Sequence, residues 1–119
     1  MHKVNIDEIE PAAVTTPGAE KVAIQWLVSE ANGAAPNFAM RRFIIEPGGN
    51  TPYHTHDWEH LVYTLGGTGV AQTEDGPVAI RAGDAMMIAP NAEHSFENTG
   101  DGPLEFLCLV PNGPATQGH

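Results

Sequence analysis

Apolar positions along the chain come in short runs with a period of two, separated by glycine and proline. KVAIQWLVSE (21–30) and NFAMRRFIIE (37–46) read as strands, and HLVYTLGG, ending at Gly67, reads as another. GVAQTE and PVAIRA flank Asp75-Gly76, a dipeptide that favours a hairpin because glycine accepts a positive φ. DAMMIA and LEFLCLV complete the set. EANGAAPN (30–37) reads as a loop, and Pro47-Gly48-Gly49 as the turn ending the second strand. Residues 1–20 read as an irregular arm with at most one short strand, and the polar stretch after Pro111 as a frayed tail. No long segment keeps a 3.6-residue apolar period between caps, so helix is not expected. Many short strands with this punctuation predict an all-β sandwich or barrel.

Composition narrows the picture. With 119 residues the chain fits one domain with a real core. Fifteen acidic against five basic side chains give a net charge of −10, which argues against nucleic acid and anionic membranes as partners. No 18-residue apolar run exists, and MHKVNIDEIE lacks the apolar stretch of a signal peptide, so a cytoplasmic protein is expected. A single cysteine, Cys108, has no partner for an internal disulfide.

The candidate chemistry lies in four of the six histidines: His54, His56 and His60 in HTHDWEH, and His94 in PNAEHSF. His2 and His119 lie at the termini and read as solvated. In a strand, residues of equal parity share a face, so His54 and His56 stand about 6.6 Å apart on one side and can lean onto one ion. His60 is too far along a straight strand. Asp57-Trp58-Glu59 must bend, so that His60 begins the next strand and returns to the ion, with His94 arriving from elsewhere in the wall. Burying imidazoles together leaves polar nitrogens that a cation satisfies. The plainer reading, four scattered histidines, does not account for the parity match or the glycine and proline framing.

From Asn37 to Pro111 the chain resembles the cupin superfamily. Gly48, His54, His56 and Gly66 match its first motif, and Gly83, His94 and Asn98 its second. His60 stands where the family usually has a glutamate ligand, and Glu59 is out of register for that role. Ala89 and Asn91 replace the proline and glycine of the second motif, and Asn91 can keep the left-handed turn. The closer likeness is to small bacterial cupins with four histidine ligands, some of which bind manganese. The resemblance implies a double-stranded β-helix, or jelly-roll, cupin barrel. Residues 1–36 would form an arm and first strands, 37–111 the barrel and 112–119 the tail. It implies His54, His56, His60 and His94 as metal ligands, with Mn favoured; imidazole donors alone leave Fe, Ni, Cu and Zn open. It also implies a homodimer, for which KVAIQWLV and an exposed Trp26 are candidate interface material.

Four neutral ligands leave a divalent site at a net charge of +2, where three histidines and a glutamate leave +1. The higher charge disfavours a trivalent ion and strengthens the pull on oxygen ligands. Asp57 and Glu59 are candidates to offset it from outside the ligand set, or are simply solvated. Arg41 and Arg42 should face opposite sides of a strand; an inward one would anchor a substrate carboxylate, and the alternative is a strand-edge or dimer contact. Phe106, Cys108 and Val110 share an inward parity, and Tyr53 is a further candidate at the pocket. Met40, Met86 and Met87 read as core. Three functions are compatible with the fold. The first is a metal-dependent oxidoreductase, dioxygenase-like or using peroxide for oxidative cleavage, acting on a small organic substrate. The second is a non-redox isomerase, epimerase or lyase of a small hydroxy- or keto-acid, with Tyr53, Tyr63, Asp57 and Glu59 as the nearby acid/base candidates. The third is a non-catalytic small-molecule-binding module.

Overall fold

A computed structural model describes residues 1–113. Nine strands follow a single 3-10 turn at Ile6–Glu8: β1 (Ala12–Ala13), β2 (Glu20–Val28), β3 (Phe38–Asn50), β4 (His60–Gly66), β5 (Thr68–Thr73), β6 (Gly76–Arg81), β7 (Ala85–Ile88), β8 (His94–Asn98) and β9 (Leu104–Pro111). All pairings are antiparallel, in the order β6-β5-β8-β3-β9-β4-β7, with β2 added to β3 and β1 to β2. The sheet curls into the expected jelly-roll barrel.

Its interior follows from parity. On β3 the odd residues Ala39, Arg41, Phe43 and Ile45 are buried; on β9 the even residues Leu104 to Val110 are. Register then stacks them in layers: Arg41 lies opposite Cys108, which lies opposite Val62, and Phe43 lies opposite Phe106, which lies opposite Thr64. Phe43, Phe106 and Phe96 pack with centroid separations of 5.3 and 4.7 Å, which fills the interior with aromatic area. At the second motif, Asn98 is buried and fully used. Its amide donates to Ile45 O (2.7 Å) and Gly102 O (2.8 Å), while its oxygen accepts from Gly100 N (2.8 Å). One side chain thus ties the β8–β9 turn to β3.

The sequence expectations hold for most elements and fail at identifiable places. Pro47-Gly48-Gly49 does not end its strand: β3 runs to Asn50, with a register shift at Glu20/Val22 and Gly48 at φ 82° absorbing the irregularity. In the hairpin, Thr73 pairs with Gly76, so the two turn residues are Glu74 and Asp75 and Gly76 opens β6. His54 and His56 do not lie on a regular strand; residues 51–59 are irregular apart from an isolated bridge between His54 and His94. Met87 is 59% exposed rather than core, because β7 is an edge strand whose outer face is open. Trp26 is not exposed but packed on the core, its ring 5.5 Å from the Arg41 guanidinium. Residues 114–119, most of the expected tail and including His119, lie outside the described residues.

Candidate metal and anion site

One end of the barrel interior opens into a cavity of about 140 Å³. Two walls of it are built by strands. His60 is the first residue of β4 and His94 the first of β8, and both are buried at 5% exposure. The third wall is the irregular segment 51–59, held down by backbone bonds. His54 N donates to His94 O (3.1 Å) and His94 N to His54 O (3.0 Å); Thr51 N donates to Phe96 O (2.9 Å), and Asn91 N to His56 O (2.5 Å). Asn91 adopts φ 67°, the left-handed conformation expected at that turn. A bend at Asp57-Trp58 returns the chain to His60, and the Trp58 ring stacks on His56 at 4.4 Å and 12°. Trp58 therefore props a loop imidazole against the site. Val14 and Thr16 of the N-terminal arm line the cavity as well, as does Phe43; only the parity of Phe43 with Arg41 was readable in the sequence.

All four histidines named from the sequence come together. Ring centroids are 4.3 Å apart for His54–His56, 4.9 Å for His54–His94, 5.0 Å for His60–His94, 5.3 Å for His56–His60 and 6.1 Å for His56–His94. An imidazole bound at about 2.1 Å places its ring centre about 3.3 Å from the ion, so bound rings at right angles are about 4.6 Å apart and opposed ones about 6.5 Å. The observed spacings fall at or near this range. Among the described residues no group of three or more metal-ligating side chains has its ligating atoms converging on one point.

The outward nitrogens of two of these rings are accounted for. His94 Nδ1 is 3.0 Å from Ala92 O, and His60 Nδ1 is 3.3 Å from Cys108 Sγ. His60 Nε2 is buried with no hydrogen-bond partner. A nitrogen left that way in a cluster of imidazoles fits a cation, because a neutral ring that donates from Nδ1 offers a lone pair at Nε2. Burial also favours the neutral form of three of the rings. Desolvation, reinforced by His94 and Arg41, pushes His60 down to about 3 from the usual 6.5. Desolvation lowers His94 and, with His94 and Arg41 adding to it, His56.

Arg41 settles which arginine faces inward. It lines the cavity at 1% exposure, donates from Nη2 to Cys108 Sγ (3.0 Å) and lies 5.1 Å from the Phe43 ring. Its Nε and Nη1 have no partner. Arg42 points outward to Gln25 Oε1 (2.7 Å) and Glu105 (2.6 Å). That pair is the salt bridge found among the described residues, so Arg41 is a buried cation with no carboxylate opposite it. Such a charge is costly unless an anion compensates it. Phe106 and Cys108 line the cavity. Tyr53 does not: it is 52% exposed. Asp57 and Glu59 are also exposed, as solvated turn carboxylates.

Comparison with known proteins agrees with this architecture. Residues 41–110 match the Cupin domain family. An oxalate-binding protein of Thermotoga maritima is 31% identical over 110 residues, covering 90% of this chain and 91% of that one. Among solved structures, a polyketide cyclase of Streptomyces resistomycificus superposes with a TM-score of 0.89 at 28% identity, covering 95% of this chain and 80% of the other. A Thermotoga maritima protein described as a predicted oxalate decarboxylase gives 0.81 at 30% identity, over 91% and 96%. With the matched segment spanning more than half its length, the chain belongs to the Cupin domain family.

Proposed function

We propose that His54, His56, His60 and His94 hold one divalent transition metal, manganese by resemblance, and that Arg41 binds the carboxylate of a small organic acid beside it. The reaction this arrangement fits best is oxidative cleavage of that acid, with dioxygen or a peroxide as the oxidant. The observation that carries the reading is the buried Arg41 guanidinium, which has two unpartnered nitrogens in the same cavity as the four imidazoles. A fixed guanidinium fork suits a carboxylate. A bound metal would supply Lewis-acid and redox chemistry at the acid's oxygens.

The chain's own residues do the rest. Arg41 orients the acid and offsets its charge. Phe43, Phe96 and Phe106 form an apolar wall, and Trp58 covers His56, limiting water. The isomerase or epimerase reading is less favoured, since such chemistry needs a proton-transferring side chain at the substrate. The ionisable residues lining the cavity are the four histidines, Arg41 and Cys108, and the exposed Tyr53, Asp57 and Glu59 are outside it. The names of the oxalate-binding relative and the oxalate decarboxylase-like neighbour lend support to a small carboxylate as ligand.

The test is to load metal-free protein with Mn(II), Fe(II), Ni(II), Cu(II) or Zn(II) and screen small mono- and dicarboxylates in air. Binding would be followed by calorimetry and turnover by oxygen uptake and carbon dioxide release. Metal-dependent turnover that Arg41→Met abolishes supports the proposal. Tight binding without turnover moves the protein to a binding module, and no carboxylate binding by any metal form overturns the reading.

A further inference from the structure

Cys108 lies at the middle of β9, with Arg41 opposite it on β3 and Val62 opposite it on β4. It is buried, and its sulfur meets two polar groups at once: Arg41 Nη2 at 3.0 Å and His60 Nδ1 at 3.3 Å. The default for a buried free cysteine is a small apolar filler. A filler would not hold contacts to both the anion-binding cation and a ring of the metal cluster.

The comparison with His94 shows what this contact does. There a backbone carbonyl, Ala92 O, occupies Nδ1. At His60 the sulfur takes that place, and the ring's other nitrogen, Nε2, is the buried atom without a partner. A ring that donates its Nδ1 proton to the sulfur presents a lone pair at Nε2, whereas one that accepts the thiol proton at Nδ1 carries its own proton at Nε2. Arg41 engages the same sulfur, so a shift of the guanidinium toward a bound anion is felt at the His60 contact.

We propose that Cys108 is a positioning residue: its sulfur holds His60 with Nδ1 occupied and Nε2 turned to the other histidines, and it links metal binding to anion binding through Arg41. The second half of this proposal rests on the proposed metal and carboxylate functions. The first half concerns the metal-free ring and does not.

The experiment compares the full chain with Cys108→Ala, Cys108→Val and Cys108→Ser. Nitrogen-15 NMR of histidine-labelled, metal-free protein reads which His60 nitrogen carries the proton, with His60→Gln giving the assignment. Zn(II) and Mn(II) affinities come from chelator competition, with and without oxalate. The expected result is a single Nδ1–H form in the parent and in Cys108→Ser, and a mixture in Cys108→Ala and Cys108→Val. Metal affinity should fall about 10- to 100-fold in Cys108→Ala and Cys108→Val, the range for loss of an outer partner of a ligating histidine, and only a few-fold in Cys108→Ser. Oxalate should raise metal affinity in the parent and do so less in Cys108→Ala. Cys108→Val keeps the site filled, so a loss of packing alone would leave its tautomer and affinity at parent values. An unchanged His60 tautomer in both apolar variants, or metal affinity within twofold of the parent, overturns the proposal. If the parent protein binds no metal, the metal reading fails, and the tautomer result alone decides the role of Cys108.

Discussion

The two faces of the β3–β9–β4 sheet hold adjacent arginines under opposite electrostatic rules. On the outer face, Arg42 has a carboxylate partner in Glu105 and a polar partner in Gln25. On the inner face, Arg41 has a sulfur, two aromatic rings and no acid. The contrast is sharper because the chain as a whole carries −10. Fifteen acidic residues are available, yet none is placed against the one guanidinium that is almost fully buried. Structural needs are met on the outer face by ordinary pairing. The inner face leaves a positive charge uncompensated beside four imidazoles, as a site for an external anion would require.

The largest effect expected on the inner face is loss of a ligand. His60→Ala should weaken binding of a divalent metal by more than about 100-fold, beyond the range for outer partners, in chelator competition. Next is Arg41→Met, which keeps the volume and removes the charge. It should lower carboxylate affinity of the metal-loaded protein about 100-fold by calorimetry. It should leave metal-free stability to urea unchanged or raised by about 1 kcal/mol, because an uncompensated buried charge is removed. If Arg42→Ala cost as much carboxylate affinity as Arg41→Met, the contrast between the faces would collapse.

A third effect concerns the neutral imidazoles. The folded chain holds His60 at about 3 against an ordinary 6.5, with His56 and His94 shifted the same way. Between those values the unfolded chain binds more protons, so acid favours unfolding. Stability of the metal-free protein should be full above about pH 6.5 and fall progressively toward pH 3. The slope should be at most about 1.4 kcal/mol per pH unit for each such histidine. Urea midpoints measured across this range should show a shallower slope in His60→Gln. The smallest effect is Arg42→Ala, which should cost about 1 kcal/mol or less in stability and leave metal and carboxylate binding unchanged.

How much of this was legible in the sequence differs between the faces in the same way. Period-two alternation was enough to put Phe106, Cys108 and Val110 inside and to place the strands. It could not choose between Arg41 and Arg42, because parity names alternate faces without saying which is inner, and a bulge would swap them. The four histidines were readable from spacing and motif. The form of their support was not: segment 51–59 is held by bonds to residues 91–96, which are distant in sequence, so no local pattern announces that it is irregular. Trp26 and Met87 were misplaced for a related reason. Whether an apolar side chain on β2 or β7 is covered depends on which strands neighbour it, and that is a property of the sheet order. The Cys108 contacts were beyond reach, since they join three strands by register alone.

X-ray absorption spectroscopy of the metal-loaded protein reads directly whether four histidines hold one ion. Four imidazole nitrogens per metal in the parent, and three in His60→Ala, are the expected result. Three or fewer imidazoles in the parent, or a count that His60→Ala leaves unchanged, would contradict it.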